Sequence, residues 1–448
     1  MAASSHTYKE LAFLILPIYL PALLAVLAQA IVISVLPIFV QDDLGGDDAA
    51  TGTIVSMQGL GAFMTAGFAG FVIARVGDRC GMLVGAGLRS AAYVASWLVT
   101  LLPTSTDGGA AMLLLGCARF GTGMGMSTFQ VARNSWVNGA VPKTLRGRAN
   151  GLIGGCARVS NTIGPAVGGV LDQYAGAPLA FFGQVLLGIV NVVVLSFCVP
   201  RSSPEPPRAA AVKEVEMTAA ADAPPTPPPP SSSSSRALLL PLLTTGPVAF
   251  SFAFARASRA LLIPLKADSL NLTAATVGYV TAASFAFDSL LFPLAGHIMD
   301  RYGRKWAGVP SLIIMAFGCV LLALSHGLFS VCFASAVLGV GNALSSGLVQ
   351  TVGQDAAPSG QQQRSRFLGL YKVATDTGTF AGPLAVGLVA QAATLDVAAG
   401  VIGGATALCA AWYAALPVHQ EGMPQPQRVK RTAAEDRITL VTADSAKV

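Results

Sequence analysis

Long apolar runs separated by short polar turns dominate this chain of 448 residues. Each run is about 20 residues long, enough for a helix to cross a bilayer core of about 30 Å. Roughly twelve such runs occur, centred near residues 25, 63, 93, 120, 160, 190, 251, 284, 315, 338, 380 and 405. Because backbone in lipid must satisfy its own hydrogen bonds, the pattern predicts an all-α membrane protein with twelve transmembrane helices.

The composition supports this reading, since 53% of residues are hydrophobic and 11% are charged. A soluble protein carries charges on about a quarter of its residues. The sequence shows no nucleotide-binding loop, nucleophile motif or metal-ligand spacing among its seven scattered cysteines. We therefore expect a non-enzyme without a cofactor. The expected partners include the bilayer and no nucleic acid.

The loop charges alternate in sign along the chain. One set of alternate loops holds Lys266 as its only Lys or Arg, together with eight acids: Asp42, Asp43, Asp47, Asp48, Asp107, Asp172, Asp268 and Asp396. The other set carries the basic residues, which include Arg79, Arg133, Lys143, Arg146, Arg148, Arg301, Arg304, Lys305, Arg364 and Arg366. The positive-inside rule therefore predicts that both termini are cytoplasmic, in either a plasma or an organelle membrane.

The chain divides into two related parts. In each, an Arg precedes a Gly-Pro pair by the same interval, since Arg148–Pro165 and Arg366–Pro383 are both 17 apart. Residues 201–236 are rich in Pro, Ser and Ala, which predicts a disordered cytoplasmic linker. The predicted order is a cytoplasmic N-terminus (1–10), a six-helix half (11–200), the linker, a second half (237–418) and a cytoplasmic tail (419–448).

Four short motifs carry a family resemblance. "GHIMDRYGRK" (296–305) contains the full pattern G-x-x-x-D-R-x-G-R-K, and "CARFGTGMG" (117–125) places an Arg and glycines in the fourth run. "IGPAVGG" (163–169) and "VLPIF" (35–39) fall in the fifth and first runs. Over about residues 10–418 the chain resembles a major facilitator superfamily transporter of the twelve-helix drug/proton antiporter branch. The resemblance implies two pseudo-symmetric halves and alternating access to a central cavity. It also implies a proton gradient as the driving force, a small organic substrate and protons as partners, and a monomer.

Two charged turns are candidate gates, one in each half: Asp78, Arg79 and Gly81 in the first, and Gly296, Asp300, Arg301, Gly303, Arg304 and Lys305 in the second. Gly303 is expected to allow a tight reversal, Asp300 to cap the next helix, and the basic residues to meet helix carbonyls or acids. Contacts that form in one orientation of the halves would bias alternating access. The alternative is that the turns only anchor loops.

The fifth run holds an antiporter-type motif composed of Gly164, Pro165, Gly168 and Gly169. Proline kinks a helix, and glycines let a neighbouring helix approach closely. The resemblance implies that this helix seals the outer side against ion leak. Ordinary packing of small residues is the alternative.

Charges within apolar runs are costly and so point to function. Arg89 and Arg259 are expected near helix ends, where they can snorkel. In the resembling family, helices 1, 4, 7 and 10 line the cavity, which nominates Gln29, Arg119 and Arg256 as substrate-binding residues. Arginines without an acid on those helices favour a substrate with an anionic or strongly accepting group. A structural pairing of Arg256 with an acid elsewhere is the alternative.

A second group is nominated for proton coupling. Arg158 and Asp376 occupy equivalent repeat positions with opposite charge, and Arg158 and Asp288 lie at similar predicted depths. We expect an ion pair between the halves in which Asp288 alternates between Arg158 and a proton. A static Arg158–Asp288 pair is the alternative. Asp376 is either an i,i+4 partner of Lys372 or a second proton site.

The function predicted is export of a small organic molecule in exchange for protons. The first alternative is a facilitator or proton symporter that takes up an organic anion. The remote alternative is a membrane sensor that does not transport, against which the costly intramembrane charges argue.

Overall fold

The protein is described here by a computed structural model. It describes residues 14–102, 108–141, 145–200, 235–358 and 361–416. The predicted cytoplasmic N-terminus and C-terminal tail, and the predicted linker up to residue 234, lie outside these residues, so those predictions stand as made. The seventh helix begins at Ser235, just inside the predicted linker boundary.

The described residues form twelve long helices. In chain order these are α1 (Ile15–Asp43), α2 (Asp48–Val76), α3 (Asp78–Thr100), α4 (Gly108–Ala140), α5 (Arg146–Ala175), α6 (Ala177–Cys198), α7 (Ser235–Ser269), α8 (Ala274–Tyr302), α9 (Arg304–Ala323), α10 (Leu328–Asp355), α11 (Gln361–Ala392) and α12 (Leu395–Ala415). This confirms the predicted all-α, twelve-helix architecture of a multi-pass membrane protein.

Ten of the twelve helices combine the length and hydropathy of a membrane span. The two others are α4 and α5, with 33 and 30 residues. At about 1.5 Å per residue both are long enough to cross a bilayer. Arginines lower their hydropathy: α4 contains Arg119 and Arg133, and α5 contains Arg146, Arg148 and Arg158.

Two helices are interrupted. In α1 the chain runs as a π-helical turn (Ile15–Tyr19), an α-helix (Leu20–Ile31), a short α-helix (Val35–Ile38) and a second π-helical turn. In α10 the helix stops at Leu344 and resumes at Leu348. Gly347 lies between, with a φ of 79° in the left-handed region that glycine tolerates.

Each half has its own apolar core. In the first half the largest buried side chains include Trp136, Phe129 and Tyr93, and in the second half they include Phe252 and Tyr413. The cores form because each helix turns its small and aliphatic residues towards its neighbours, where close van der Waals packing is possible.

The halves meet most closely at one end of the bundle, through two glycine pairs. A Cβ atom built on Gly52 of α2 would lie 2.7 Å from the Cα of Gly387 on α11. A Cβ atom on Gly169 of α5 would lie 2.9 Å from the Cα of Gly278 on α8. Gly169 and Gly387 are 218 positions apart, the repeat interval of Pro165 and Pro383, so the two contacts correspond.

The same four helices are separated further along. Glycines nearer the opposite end have open space beside them, with no atom within 4 Å of an added Cβ: Gly67 on α2, Gly151 on α5, Gly296 on α8 and Gly369 on α11. The interface is therefore closed at the end that carries Asp48 and open towards the other. In the predicted orientation, the closed end faces the outside.

Candidate functional site

Asp288 lies in the middle of α8 and is 7% exposed. Its carboxylate accepts a hydrogen bond from Asn342 Nδ2 at 2.7 Å and one from Ser346 Oγ at 3.4 Å. Arg259 of α7 places Nη2 at 4.0 Å from the same carboxylate. A buried carboxylate requires this compensation, because an unpaired buried charge costs several kcal/mol.

Arg256 joins the same network one helical turn before Arg259. Its Nε donates to Asn342 Oδ1 at 2.8 Å, so one amide side chain links Arg256 to Asp288. Its Nη2 donates to the Ser345 carbonyl at 2.8 Å and to Ser345 Oγ at 2.7 Å. Arg256 forms no direct ion pair with an acid among the described residues, so the structure shows an indirect link to Asp288 and not the pair considered as the alternative.

The break in α10 makes these contacts available. Ser345 Oγ donates to the Asn342 carbonyl, a local bond that competes with the helical ladder. At the break, the Ser345 carbonyl accepts from the Leu348 N–H at 3.1 Å and also from Arg256 Nη2. Asn342, Ser345 and Ser346 were not among the nominated residues. The polar cluster "NALSSG" (342–347) within an apolar run is the signal that identifies them.

Two expectations about arginines were wrong. Arg259 and Arg89 were expected to snorkel from helix ends, yet they are 2% and 4% exposed. Both lie well inside their helices, where the side chain cannot reach water. Arg89 donates from Nη2 to Tyr93 Oη at 2.7 Å and to the backbone carbonyl of Ala25 on α1.

The expected ion pair between Arg158 and Asp288 is absent from this conformation. The Arg158 guanidinium instead lies 4.1 Å from the ring centroid of Phe292, one turn beyond Asp288, and Nη1 donates to the Gly154 carbonyl. Arg259 and Asn342, both from the second half, already hold the carboxylate. Because Phe292 is four residues after Asp288 on α8, Arg158 faces that helix about one turn from the carboxylate.

Helices α5 and α8 also meet directly at this depth. The hydroxyls of Thr162 and Ser289 are 3.0 Å apart across the two halves. Asp288, adjacent to Ser289, therefore lies next to the interface that has to change when the halves move.

Asp376 forms the predicted contact within α11. Lys372 Nζ lies 2.5 Å from Asp376 Oδ1, an i,i+4 ion pair, so that prediction is confirmed. The second oxygen, Oδ2, is buried without a hydrogen-bond partner among the described residues. This leaves open the prediction that Asp376 is a second proton site.

In the first half, Arg119 of α4 is 6% exposed. Its Nη2 donates to Gln58 Oε1 on α2, and its Nε is buried without an acceptor in the described part of the chain. Gln58 was missed because α2 is not among the helices expected to line the cavity. Gln29, nominated on α1, is half-buried and forms no side-chain hydrogen bond with any described residue.

The charged turn of the second half reverses at Gly303, whose φ is 97° as its expected role requires. Asp300, however, does not cap α9. Its side chain is 84% exposed and lies 3.7 Å from Arg304 Nη1. The reason is position: Gly303 occupies the N-cap of α9, whereas Asp300 still belongs to the last turn of α8. Arg304 Nε meets Asp355 Oδ2 at 3.1 Å, and Lys305 Nζ donates to the Ala414 carbonyl at 3.0 Å.

The remaining residues of the turns make few polar contacts. The Arg79 Nη2 donates to the Ser196 carbonyl at 2.7 Å, and Arg301 lies 5.6 Å from the Tyr302 ring. Asp78 forms no ion pair or hydrogen bond with a described residue, and Gly81 packs closely on Ile73. In the described residues, every polar contact of the two turns stays within its own half.

The glycines of the α5 motif serve two different interfaces. Gly164 and Gly168 admit the α1 backbone at Ala30 and Ile31, within the first half. The Pro165 carbonyl accepts a hydrogen bond from Ser34 Oγ at 3.2 Å. Gly169 admits α8 of the second half. The prediction that these glycines allow close helix approach is therefore confirmed.

The described residues contain no group of three or more His, Cys, Asp or Glu side chains placed to hold a metal ion. The charged groups near the interface are instead single carboxylates and guanidinium groups, such as Asp288, Arg259 and Arg158.

Two similar six-helix halves that meet around buried charges define a multi-pass membrane transporter. The chain belongs to the Major Facilitator Superfamily, whose family model matches residues 18–255 and 245–443.

Curated relatives of the chain are MFS-type transporters described as uncharacterized. One from Methanocaldococcus jannaschii is 21% identical over 277 residues, which is 61% of this chain and 67% of the relative. One from Mycobacterium tuberculosis is 33% identical over 168 residues, 36% of this chain and 38% of the relative. The chain therefore spans only part of the mycobacterial relative.

Solved structures share the fold at low sequence identity. A D-xylose-proton symporter superposes with a TM-score of 0.70 at 15% identity, covering 89% of this chain and 97% of its own. A POT peptide transporter in complex with sulfate superposes with a TM-score of 0.69 at 15% identity, covering 91% of this chain and 94% of its own. At this identity the likeness establishes the fold alone.

Proposed function

We propose that this protein is a proton-coupled antiporter that exports a small organic molecule by alternating access, with Asp288 as the proton-binding group. The observation that carries the proposal is the Asp288 network. It joins α7, α8 and the break of α10 through Arg259, Asn342 and Ser346, and it lies beside the interface between the halves.

The network gives protonation a mechanical consequence. When Asp288 is ionised, it accepts from Asn342 and Ser346 and neutralises Arg259. When it is protonated, it no longer balances the arginine, and its hydroxyl becomes a donor. The contacts that hold α8 against the broken segment of α10 then weaken, which frees α10 to move relative to α8.

Arg158 is the proposed partner in the alternative conformation. It lies near Asp288 on the opposite half but is stacked on Phe292 here. A rearrangement of the α5–α8 interface by one helical turn would bring the guanidinium to the carboxylate. Asp288 would then exchange Arg259 and Asn342 for Arg158 as the halves change orientation.

The α5 motif supports exchange over uptake. Gly164, Pro165, Gly168 and Gly169 match the pattern that resembles antiporters, and Gly169 takes part in the closed end of the interface. A tightly closed end suits an antiporter, since exchange requires that neither end leaks ions between turnovers.

A second candidate is a proton symporter or facilitator of an organic anion. Buried Arg119, which has a neutral acceptor in Gln58, favours it. The two candidates differ in charge movement. Exchange of a proton for a monoanion moves net charge across the membrane, whereas symport of the same pair is electrically neutral.

The test is proton movement in sealed vesicles that contain the purified protein and an enclosed pH-sensitive dye. Panels of organic anions, neutral molecules and cations are added in turn, with the membrane potential clamped at two values. We expect a substrate to trigger counter-directed proton flux that is lost in Asp288→Asn. The control Asp268→Asn removes a carboxylate from the end of α7 and should keep the flux.

Proton-coupled transport that survives in Asp288→Asn would contradict the proposed proton site. Proton flux in the same direction as the substrate, and insensitive to potential for an anion, would establish symport instead. Substrate movement without proton movement would establish a facilitator.

A further inference from the structure

The first half contains a buried cation for which the described protein supplies no counter-charge. Arg119 is 6% exposed, donates to the neutral Gln58 amide and has an unpartnered buried Nε. Among the described residues, its guanidinium forms no ion pair with a carboxylate.

Arg89 adds to the positive charge at this place. It is also buried, and its acceptors are the Tyr93 hydroxyl and the Ala25 carbonyl, both uncharged. Two guanidinium groups therefore share a low-dielectric region with neutral acceptors only. Burial of uncompensated charge is strongly unfavourable, so such an arrangement persists where a bound anion completes it.

The position of Arg119 suits a ligand carried across the membrane. It lies 11 residues after Gly108, the first residue of α4, so it is about 16 Å along the helix. Gln58 lies at a similar depth on α2, and the next residue, Gly59, would bring an added Cβ to 2.8 Å from the Cα of Phe380 on the other half. Further along α2, an added Cβ on Gly67 would meet no atom within 4 Å. The Arg119–Gln58 pair therefore lies where the closed end of the interface gives way to its open part.

We infer that the substrate is a small organic anion whose carboxylate, sulfonate or phosphonate group binds Arg119, with the Gln58 amide as the second contact. This rests on the proposed transport function and names its substrate class. A guanidinium offers parallel N–H donors that match two oxygens of such a group, and the unpartnered Nε supplies one of them. Arg256 is excluded as the main contact because Asn342 and Ser345 already occupy it.

The test is ligand-induced thermal stabilisation of the purified full-length protein, which uses neither protons nor transport. The probes are benzoate, hexanoate, benzenesulfonate and phenylphosphonate, each at one pH and ionic strength. Their counterparts of similar shape are benzamide, hexanamide, benzylamine and hexylamine. Because a ligand that binds only the folded state raises the unfolding temperature, we expect stabilisation by one or more anions and by none of the counterparts.

The variants assign the effect to one side chain. In Arg119→Gln the anion should bind at least about tenfold more weakly. Arg119→Lys keeps the charge but loses the paired N–H donors of the guanidinium, so its affinity should fall by an intermediate amount. The matched control is Arg75→Gln, which removes an exposed cation at the end of α2 and should bind as the wild type does. The anion that raises the unfolding temperature most shows whether the site prefers a carboxylate, a sulfonate or a phosphonate group.

The ligand-free variant gives an independent readout. If Arg119 has no counter-charge until an anion binds, ligand-free Arg119→Gln should unfold at the same temperature as the wild type or at a higher one. The reason is that the substitution removes an uncompensated buried charge. A lower unfolding temperature would mean that the protein itself stabilises this cation, and would overturn the inference.

Three binding outcomes would also overturn it: stabilisation by the amides or amines, stabilisation by anions that is unchanged in Arg119→Gln, or no stabilisation by any anion. Proton-coupled transport that survives in Asp288→Asn, or substrate movement without proton movement in the wild type, is a separate result. It would overturn the proposed antiport mechanism while leaving anion binding at Arg119 intact.

Discussion

The two halves of this transporter share a fold but differ in how they treat buried charge. In the second half, Arg259 lies beside Asp288, and Arg256 is linked to the same carboxylate through Asn342. In the first half, Arg89 and Arg119 have only neutral acceptors among the described residues. The second half compensates its interior cations internally, whereas the first does not.

Under the proposed function, this difference gives the halves different chemistry. The carboxylate of the second half would take up the proton, and the uncompensated cation of the first half would bind the anion. The repeat position shared by Arg158 and Asp376 shows the same division, since it is basic in the first half and acidic in the second. A duplicated fold can therefore keep its packing while its two copies take separate roles.

The largest effect is expected where the halves are alike. Gly169→Val and Gly387→Val each place side-chain atoms against a glycine backbone of the other half, where even a Cβ would lie 2.9 Å and 2.8 Å from the facing Cα. Both should lower the initial transport rate in vesicles by more than about tenfold, because the facing backbone atoms cannot move aside to make room for the added methyl groups.

The control for these variants is Gly155→Ala on α5, where an added Cβ meets no atom within 4 Å. It should transport at the wild-type rate. Wild-type rates in Gly169→Val or Gly387→Val would show that the end of the interface does not need to close as tightly as observed.

The next effect tests the internal compensation of the second half. Asn342→Leu removes the amide that bonds both Asp288 and Arg256, so two buried charges lose a partner at once. We expect the free energy of unfolding to fall by roughly 2–4 kcal/mol. Reversible unfolding in detergent measures it, and a change below about 1 kcal/mol would show that other groups or water replace the amide.

A smaller effect compares the two charged turns. Arg304 pairs with Asp355, a carboxylate, whereas Arg79 donates to the Ser196 carbonyl. Arg304→Gln should destabilise the protein by about 0.5–1 kcal/mol, and the loss should shrink at high salt. The loss in Arg79→Gln should depend less on salt. Equal salt dependence of the two variants would contradict this difference.

The smallest effect concerns the ion pair within α11. Lys372 is partly exposed, so its pair with Asp376 should be worth about 0.3–0.5 kcal/mol. Asp376→Asn should change the free energy of unfolding by no more than this amount. A loss of several kcal/mol would place Asp376 in a larger network, and would strengthen its case as a second proton site.

The sequence predicted the architecture well because it depends on local patterns. Apolar run length specified the helices, and the repeat interval specified the halves. Contacts within one helix, such as Lys372–Asp376, also followed from spacing alone, as did the close approach allowed by the glycines of the α5 motif. In each case the partners or the geometry are fixed by the helix itself.

Contacts between helices were harder to predict. Whether Asp288 meets Arg158 or Arg259 depends on the rotation of three helices about their axes, and hydropathy does not specify it. The role of Asn342 was missed because a polar residue in an apolar run gives no sign of its partner until α10 is seen to break beside it. The depths of Arg89 and Arg259 were misjudged because the ends of apolar runs are not the ends of helices.

The paired glycine contacts have a consequence for the motion of the halves. Gly52–Gly387 joins α2 to α11, and Gly169–Gly278 joins α5 to α8, so the two contacts link corresponding helices of opposite halves. In the proposed alternating access, this end opens when the halves rock about a line within their interface that runs parallel to the line joining the two contacts. Such rocking separates the two contacts together and by equal distances, whereas a sideways tilt would split one and compress the other. Glycine backbones that are already in contact cannot be compressed further. We therefore expect the two contacts to open and close together.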